Sequence, residues 1–227
     1  MKNLILFLSL LLVSLTALAE DKIAILQLYK SEKTNFNKMI NVLDTYGFES
    51  ALLAKDVDSL SFKITLDSVQ QLWIISDKSN HLDSVKLAMI EQFYKSGKGV
   101  FVLADNEPYN LDANKVLNQL ENIKISGNYI CDKVLQKKSK TDTISTIRPH
   151  AVTKNLNYFY EGFTVASIEK SGKNIEPIIF GSEGNLIVAS YSENGKRLLI
   201  DGGFTRMYNK WNSETATYII NVANWLK

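Results

Sequence analysis

A mostly parallel α/β sheet with helices on both faces and an antiparallel C-terminal hairpin is the fold this sequence predicts. Three observations carry it. Apolar runs of strand length at 22–29, 71–77 and 100–105 alternate with stretches of helical spacing, the rhythm of right-handed βαβ units. The runs "QLWIISD" and "VFVLAD" are continuous rather than alternating, as expected of strands covered on both faces. Further on, "NLIVASYSENGKRLLIDGG" reads as two strands about Asn194-Gly195, a strong hairpin signal.

In chain order, "KIAILQLY" (22–29) is a β-branched run. Phe36, Met39, Ile40, Leu43 and Tyr46 follow as the apolar stripe of a helix that Gly47 closes. "ESALLA" (49–54) is the next strand, and "QLWIISD" (71–77) a buried one. Over 82–99 the pattern predicts a helix whose inner face is Val85, Ala88, Met89, Gln92 and Phe93, stopped by Gly97 and Gly99. "VFVLAD" (100–105) returns to the sheet, and 110–120 form a helix with Val116, Leu117 and Leu120 as apolar contacts. After the hairpin, a helix from about Ser213 to Leu226 packs through Tyr218, Ile219, Val222 and Trp225. The arrangement is flavodoxin-like, and with no internal repeat or low-complexity linker the expectation is one domain over 20–227.

Residues 1–19 read as a secretory signal peptide: Lys2, an apolar run from Leu4 to Leu12, then Ala17-x-Ala19 before Glu20. The run is short for a spanning helix, so no membrane anchor is expected after cleavage. The net charge of +2 argues against a nucleic-acid partner. Cys131 is the only cysteine, which excludes an intrachain disulfide and a cysteine-based zinc cluster. The leader, the Lys/Asn-rich composition and the lack of any N-x-[ST] acceptor point to a bacterial periplasmic or secreted protein.

In open α/β sheets the ligand crevice lies beyond the carboxyl ends of the strands. Four segments supply polar groups there: "SDKSNH" (76–81), "ADNEPY" (104–109), "RPHAVTKNLNYFYEG" (148–162) and "DGGFTRMYNKWN" (201–212). They contribute Asp77, Asp105, Asn106, Glu107, Tyr109, His150, Glu161, Asp201, Gly202, Gly203 and Arg206 as candidate ligand-binding residues.

The order "LWIISD…LDSVKLAMIEQFYKSGKGVFVLAD…PHAVTKNL…FYEG…NGKRLLIDGGFTR…NVANWL" resembles the class I glutamine-amidotransferase-like superfamily over roughly 23–227. Within it the sequence is most similar to the non-amidase branch around trehalose-utilisation proteins. The resemblance implies that the strand at 100–105 leads into an elbow, which in true amidotransferases carries a nucleophilic Cys between glycines. Asp105-Asn106-Glu107-Pro108 stands there instead, with no Cys or Ser. "PHAVTKNL" is similar to a His-Pro-Ile-Thr turn of that branch, with Ala151 in place of the proline, and Glu161 in "FYEG" matches an acidic position near the crevice.

Each residue also has a plain structural reading. Asp105 and Glu107 can neutralise the start of the helix near Asn110, with Asn110 or Asp112 as its cap. His150 can serve as a hydrogen-bonding structural residue, His81 as an exposed loop residue and Cys131 as a small packed side chain. "DGGFTR" can cradle an anion or a hydroxylated ligand, its glycines permitting φ > 0, or be a bend held by an Asp201–Arg206 ion pair. Tyr109, Tyr208 and Trp211 can stack on a sugar ring or pack. The expected function is an amidotransferase-like module without amidase chemistry, binding a sugar-like small molecule or an envelope protein, with no cofactor and no metal. The alternative is a carbohydrate-active enzyme using Asp105, Glu107, His150 and Asp201.

Overall fold

The computed structural model describes residues 21–29, 36–137, 146–169 and 175–227, so the signal peptide expected at 1–19 lies outside the described residues. Seven strands form the main sheet. β1 (Asp21–Gln27), β2 (Phe48–Ala54), β3 (Gln71–Ile75) and β4 (Gly99–Leu103) come from the first half. β9 (Glu176–Phe180), β10 (Leu186–Glu193) and β11 (Lys196–Asp201) come from the second. The order is β2-β1-β3-β4-β11-β10-β9, parallel from β2 to β11 and antiparallel from there outward. The 2-1-3-4-5 order of the parallel part is that of flavodoxin-like sheets. The hairpin turns at Asn194 and Gly195, with φ of 52° and 80°, the two left-handed residues a tight two-residue loop needs.

Helices cover both faces. On one face α1 (Asn37–Thr45) and α5 (Ser213–Trp225) bury Met39, Leu43, Tyr218, Ile219 and Val222 against Ile23, Ile25, Trp73, Phe101 and Leu199. On the other, α2 (Ser59–Ser68), α3 (Ser84–Lys95) and α4 (Leu111–Glu121) bury Phe62, Ile90, Phe93, Val116 and Leu117 against Ala24, Ile74, Val102 and Ile200. Asp58, Asp83 and Asn212 each cap a helix by accepting the amide hydrogen three residues on. Two short ladders are also present among the described residues. β5 (Lys124–Ile130) pairs with β8 (Thr164–Glu169), and β6 (Val134–Gln136) with β7 (Tyr158–Tyr160).

Two expectations are corrected. α3 turns a partly different face inward: Phe93 is buried and Met89 packs against the core as expected, but Val85 is 52% exposed while Lys86, Ile90 and Tyr94 are buried. Lys86 is buried among these positions, so the inner stripe reads in the sequence as interrupted by a charge. Asn110 does not cap α4 with its side chain. Its amide donates instead to the Ile125 carbonyl, and Asp112 accepts from the backbone of His81 and Leu82.

Candidate functional site

The parallel register sets Gln27, Ile75, Leu103 and Asp201 level across four strands. Whatever follows them is delivered to one edge: Tyr29 after β1, Ser76 and Asp77 after β3, Asp105 and Asn106 after β4, Gly202 and Gly203 after β11. Asp105 is only 2% exposed. Its Oδ1 accepts from Asn106 N at 2.8 Å, and Thr164 Oγ1 of β8 reaches Asn106 Oδ1 at 2.8 Å and Asp105 Oδ1 at 3.4 Å. Burial pushes the Asp105 carboxyl up to about 7. The bonds from Asn106 and Thr164 and the charge of Arg206 oppose the rise, while the charge of Asp201 adds to it. A carboxyl balanced between its two forms near neutral pH can donate or accept a proton where it sits.

Aromatic rings gather beside it. Tyr29 meets Tyr109 edge-on at 5.5 Å and stacks with Tyr208 at 6.3 Å, and Phe204 packs against Tyr29 at 5.0 Å. Burial raises the Tyr208 hydroxyl, as do Tyr29 and the nearby charge of Asp105. Tyr109 lies under the Lys78 ammonium at 5.8 Å. Tyr109, Tyr208 and Trp211 are half-buried and packed on the core. Tyr29, the ring the others share, was legible only as the end of a strand.

Asp201 and Arg206, both fully buried, form the internal ion pair that was one of the two readings of this loop. Arg206 Nη1 bonds both Asp201 oxygens at 2.5 Å, and its Nε and Nη2 donate to the carbonyls of Tyr160 and Glu161. Tyr218 Oη and Gly203 N complete the Asp201 shell. The glycines serve by their missing side chains rather than by positive φ. A Cβ on Gly202 would lie 2.3 Å from the Ala166 carbonyl, and one on Gly203 2.8 Å from that of Glu161. Glu161 is buried, its oxygens accepting from Ser182 N and Oγ, both at 2.8 Å.

The remaining candidates spread outward. Asp77 holds His81 Nε2 at 3.0 Å, so His81 is a half-buried partner and not the exposed loop residue expected. Glu107 is exposed and accepts from Gly127 N. His150 does not join the crevice. It starts the turn Ala151–Thr153, accepting Val152 N on Nδ1, and packs against Trp225 with Ser190 and Glu176 beside it. That end of α5 meets Gly99 at the start of β4, away from the carboxyl edge. Burial lowers the His150 pKa, which the charge of Glu176 opposes.

Nothing in the elbow supplies a nucleophile: residues 104–108 contain neither Cys nor Ser, and none has positive φ. Cys131 follows β5 and is buried. Burial, and then the charge of Glu161, push its thiol up to about 11 against a hydrogen bond from Ser182. Native protein is therefore expected to resist alkylation at about pH 8 and to label fully once unfolded. Rapid native labelling, followed by mass, would contradict this. Among the described residues, no group of three or more His, Cys, Asp or Glu could hold a metal ion, and no helix is long and apolar enough to cross a membrane.

A 2-1-3-4-5 parallel sheet extended by an antiparallel hairpin, with Asp105-Asn106-Glu107-Pro108 following β4, defines a flavodoxin-like α/β fold with no cysteine in the turn after β4. The chain is similar in structure to a ThuA-like protein from Bacteroides uniformis, with a TM-score of 0.59 and 13% identity over 91% of both chains. That likeness establishes the shared fold, the one the sequence resemblance implied. Two other solved structures align at a TM-score of 0.49. A GMP synthase protein from Thermoplasma acidophilum is 10% identical over 89% of this chain and 95% of that one. PurLQS from Thermotoga maritima is 11% identical over 91% of this chain and all of that one. No protein-family model matches the sequence, and no curated protein matches it.

Proposed function

We propose that this protein binds a small hydroxylated, sugar-like ligand at the carboxyl edge of its sheet, without amide hydrolysis, and works in the periplasm or outside the cell. One observation carries the reading: Asp105, a buried carboxyl poised near neutral pH, beside the rings of Tyr29, Tyr109 and Tyr208. Carboxyl groups fix hydroxyls by directional hydrogen bonds, and tyrosine faces stack on the apolar side of a sugar ring. The leader pattern at 1–19 supports export. The carbohydrate-active arrangement of Asp105, Glu107, His150 and Asp201 has less support, since His150 lies elsewhere and Asp201 is engaged by Arg206.

A thermal-shift screen against neutral mono- and disaccharides tests the proposal, because a ligand bound only by the folded state raises its melting temperature. At least one sugar should stabilise the wild type, and Asp105→Asn should lose the shift while remaining folded. A shift that survives this substitution would place the site elsewhere. Indifference to every sugar would remove the carbohydrate reading.

A further inference from the structure

At the amino edge of the sheet, between the last turns of α5 and the segment 151–154, lies a cleft of about 480 Å³, a usual volume for a small-molecule site. Lys154, Arg197, Asn221, Asn224 and Trp225 line it, and among the described residues no Asp or Glu does. Lys154 is exposed, and its ammonium has no hydrogen-bond or ion-pair partner among the described residues. Arg197 is oriented through Nη1, which donates to the main-chain oxygens of Trp225, at 3.0 Å, and of Lys227. Its Nε and Nη2 have no partner among the described residues. They form the edge of the guanidinium that takes a carboxylate by two parallel hydrogen bonds.

The two asparagines offer the opposite chemistry. Asn221 Nδ2 donates to the carbonyls of Val152 and Lys154, at 3.3 and 2.7 Å, and Asn224 Nδ2 donates to that of Ile220 at 2.9 Å. A carbonyl only accepts, so these bonds fix which way each amide faces and leave both Oδ1 atoms as acceptors without a partner among the described residues. A second cleft of about 480 Å³ adjoins the first, with Asn221 lining both, and continues past Ile220 and Thr217 to Tyr46, which is 64% exposed. From Ser213 to Asn224 the helix beneath the two clefts advances about 16 Å. We infer that they hold an acidic oligosaccharide, its carboxylate taken by Lys154 and Arg197 and its hydroxyls donating to Asn221 and Asn224. A bare anion gives no hydrogen to the two Oδ1 atoms, and a neutral sugar leaves both cations unused, while a sugar acid satisfies all four. Trp225 and Tyr46, at opposite ends, supply aromatic surface for the apolar side of a ring. The assignment does not depend on what binds beside Asp105, at the other edge of the sheet.

Calorimetric titration with trigalacturonate at low salt tests the assignment. The wild type should bind it, and should bind the neutral trisaccharide maltotriose at least about tenfold more weakly, the factor that one charged hydrogen bond supplies. Lys154→Gln and Arg197→Gln should each weaken trigalacturonate binding by about tenfold, the first with an unchanged melting temperature because the side chain is exposed. Asp105→Asn should leave that binding as it is. Absence of binding, binding indifferent to both Lys154→Gln and Arg197→Gln, or binding lost in Asp105→Asn overturns the proposal. Triglutamate held as tightly as trigalacturonate would assign the clefts to an acidic peptide and overturn the saccharide.

Discussion

Replacing Arg206 with leucine is expected to destabilise the protein by about 3–5 kcal/mol, the usual loss when one member of a buried ion pair is removed. Asp201 would lose its counter-ion at a site with no solvent exposure, where Tyr218 Oη and Gly203 N are its remaining donors among the described residues. The carbonyls of Tyr160 and Glu161 would lose the guanidinium that donates to them. For a protein of this size the melting temperature should fall by on the order of 10 °C. Circular dichroism melts measure it. Combining Arg206→Leu with Asp201→Asn should recover a substantial part of the loss, because the uncompensated charge goes too. A loss below about 1 kcal/mol for the single variant would show that the clamp does not hold this end of the sheet.

The second large effect concerns Asp105 and depends on pH. Its carboxyl stands at about 7 in the folded protein against 3.8 for an unperturbed aspartate. The folded state therefore favours the protonated form. That preference contributes its full stability below the unfolded value and is lost as pH rises through about 7. A shift of this size corresponds to roughly 4 kcal/mol at most. Asp105→Asn, neutral at every pH, should unfold at higher urea than the wild type at about pH 8 by an equivalent of a few kcal/mol, and show no such gain near pH 4. Parallel pH profiles for the two proteins would mean that Asp105 ionises without penalty and is not the poised group described above.

Much of the sheet is legible in the sequence because its strands are covered on both faces and read as unbroken apolar runs. The Asn194-Gly195 turn is equally plain, since few residue pairs accept two left-handed conformations in succession. α2 is hidden because Leu60 and Ile64 project outward while Phe62 and Leu66 point in, which flattens the helical period. β5 to β8 are short or mixed in burial, so their pattern carries little signal. At the site, Asp105 and Asn106 are found by position at a strand end, yet Thr164 arrives from β8 and nothing local announces it. The spacing of Asp201 and Arg206 suits a ligand cradle and an ion pair equally, and only burial separates the two. His150 shares its chemistry with the crevice residues but not their place, because the turn it starts packs on the far end of α5.

The place of β11 bears on how the molecule assembles. Leu198 pairs with Val100 and Leu199 with Phe101, so the middle of the sheet is closed by a strand that arrives 98 residues later in the chain. Until β11 docks, β4 is itself an open edge, with Val100 to Leu103 bare on one side. Contacts this distant in sequence close slowly, because the loop entropy must be met before they form. Nascent chains halted before Lys196 would hold an unfinished sheet, dependent on chaperones and exposed to mispairing, and the last strand acts as the switch from that vulnerable state to the native one.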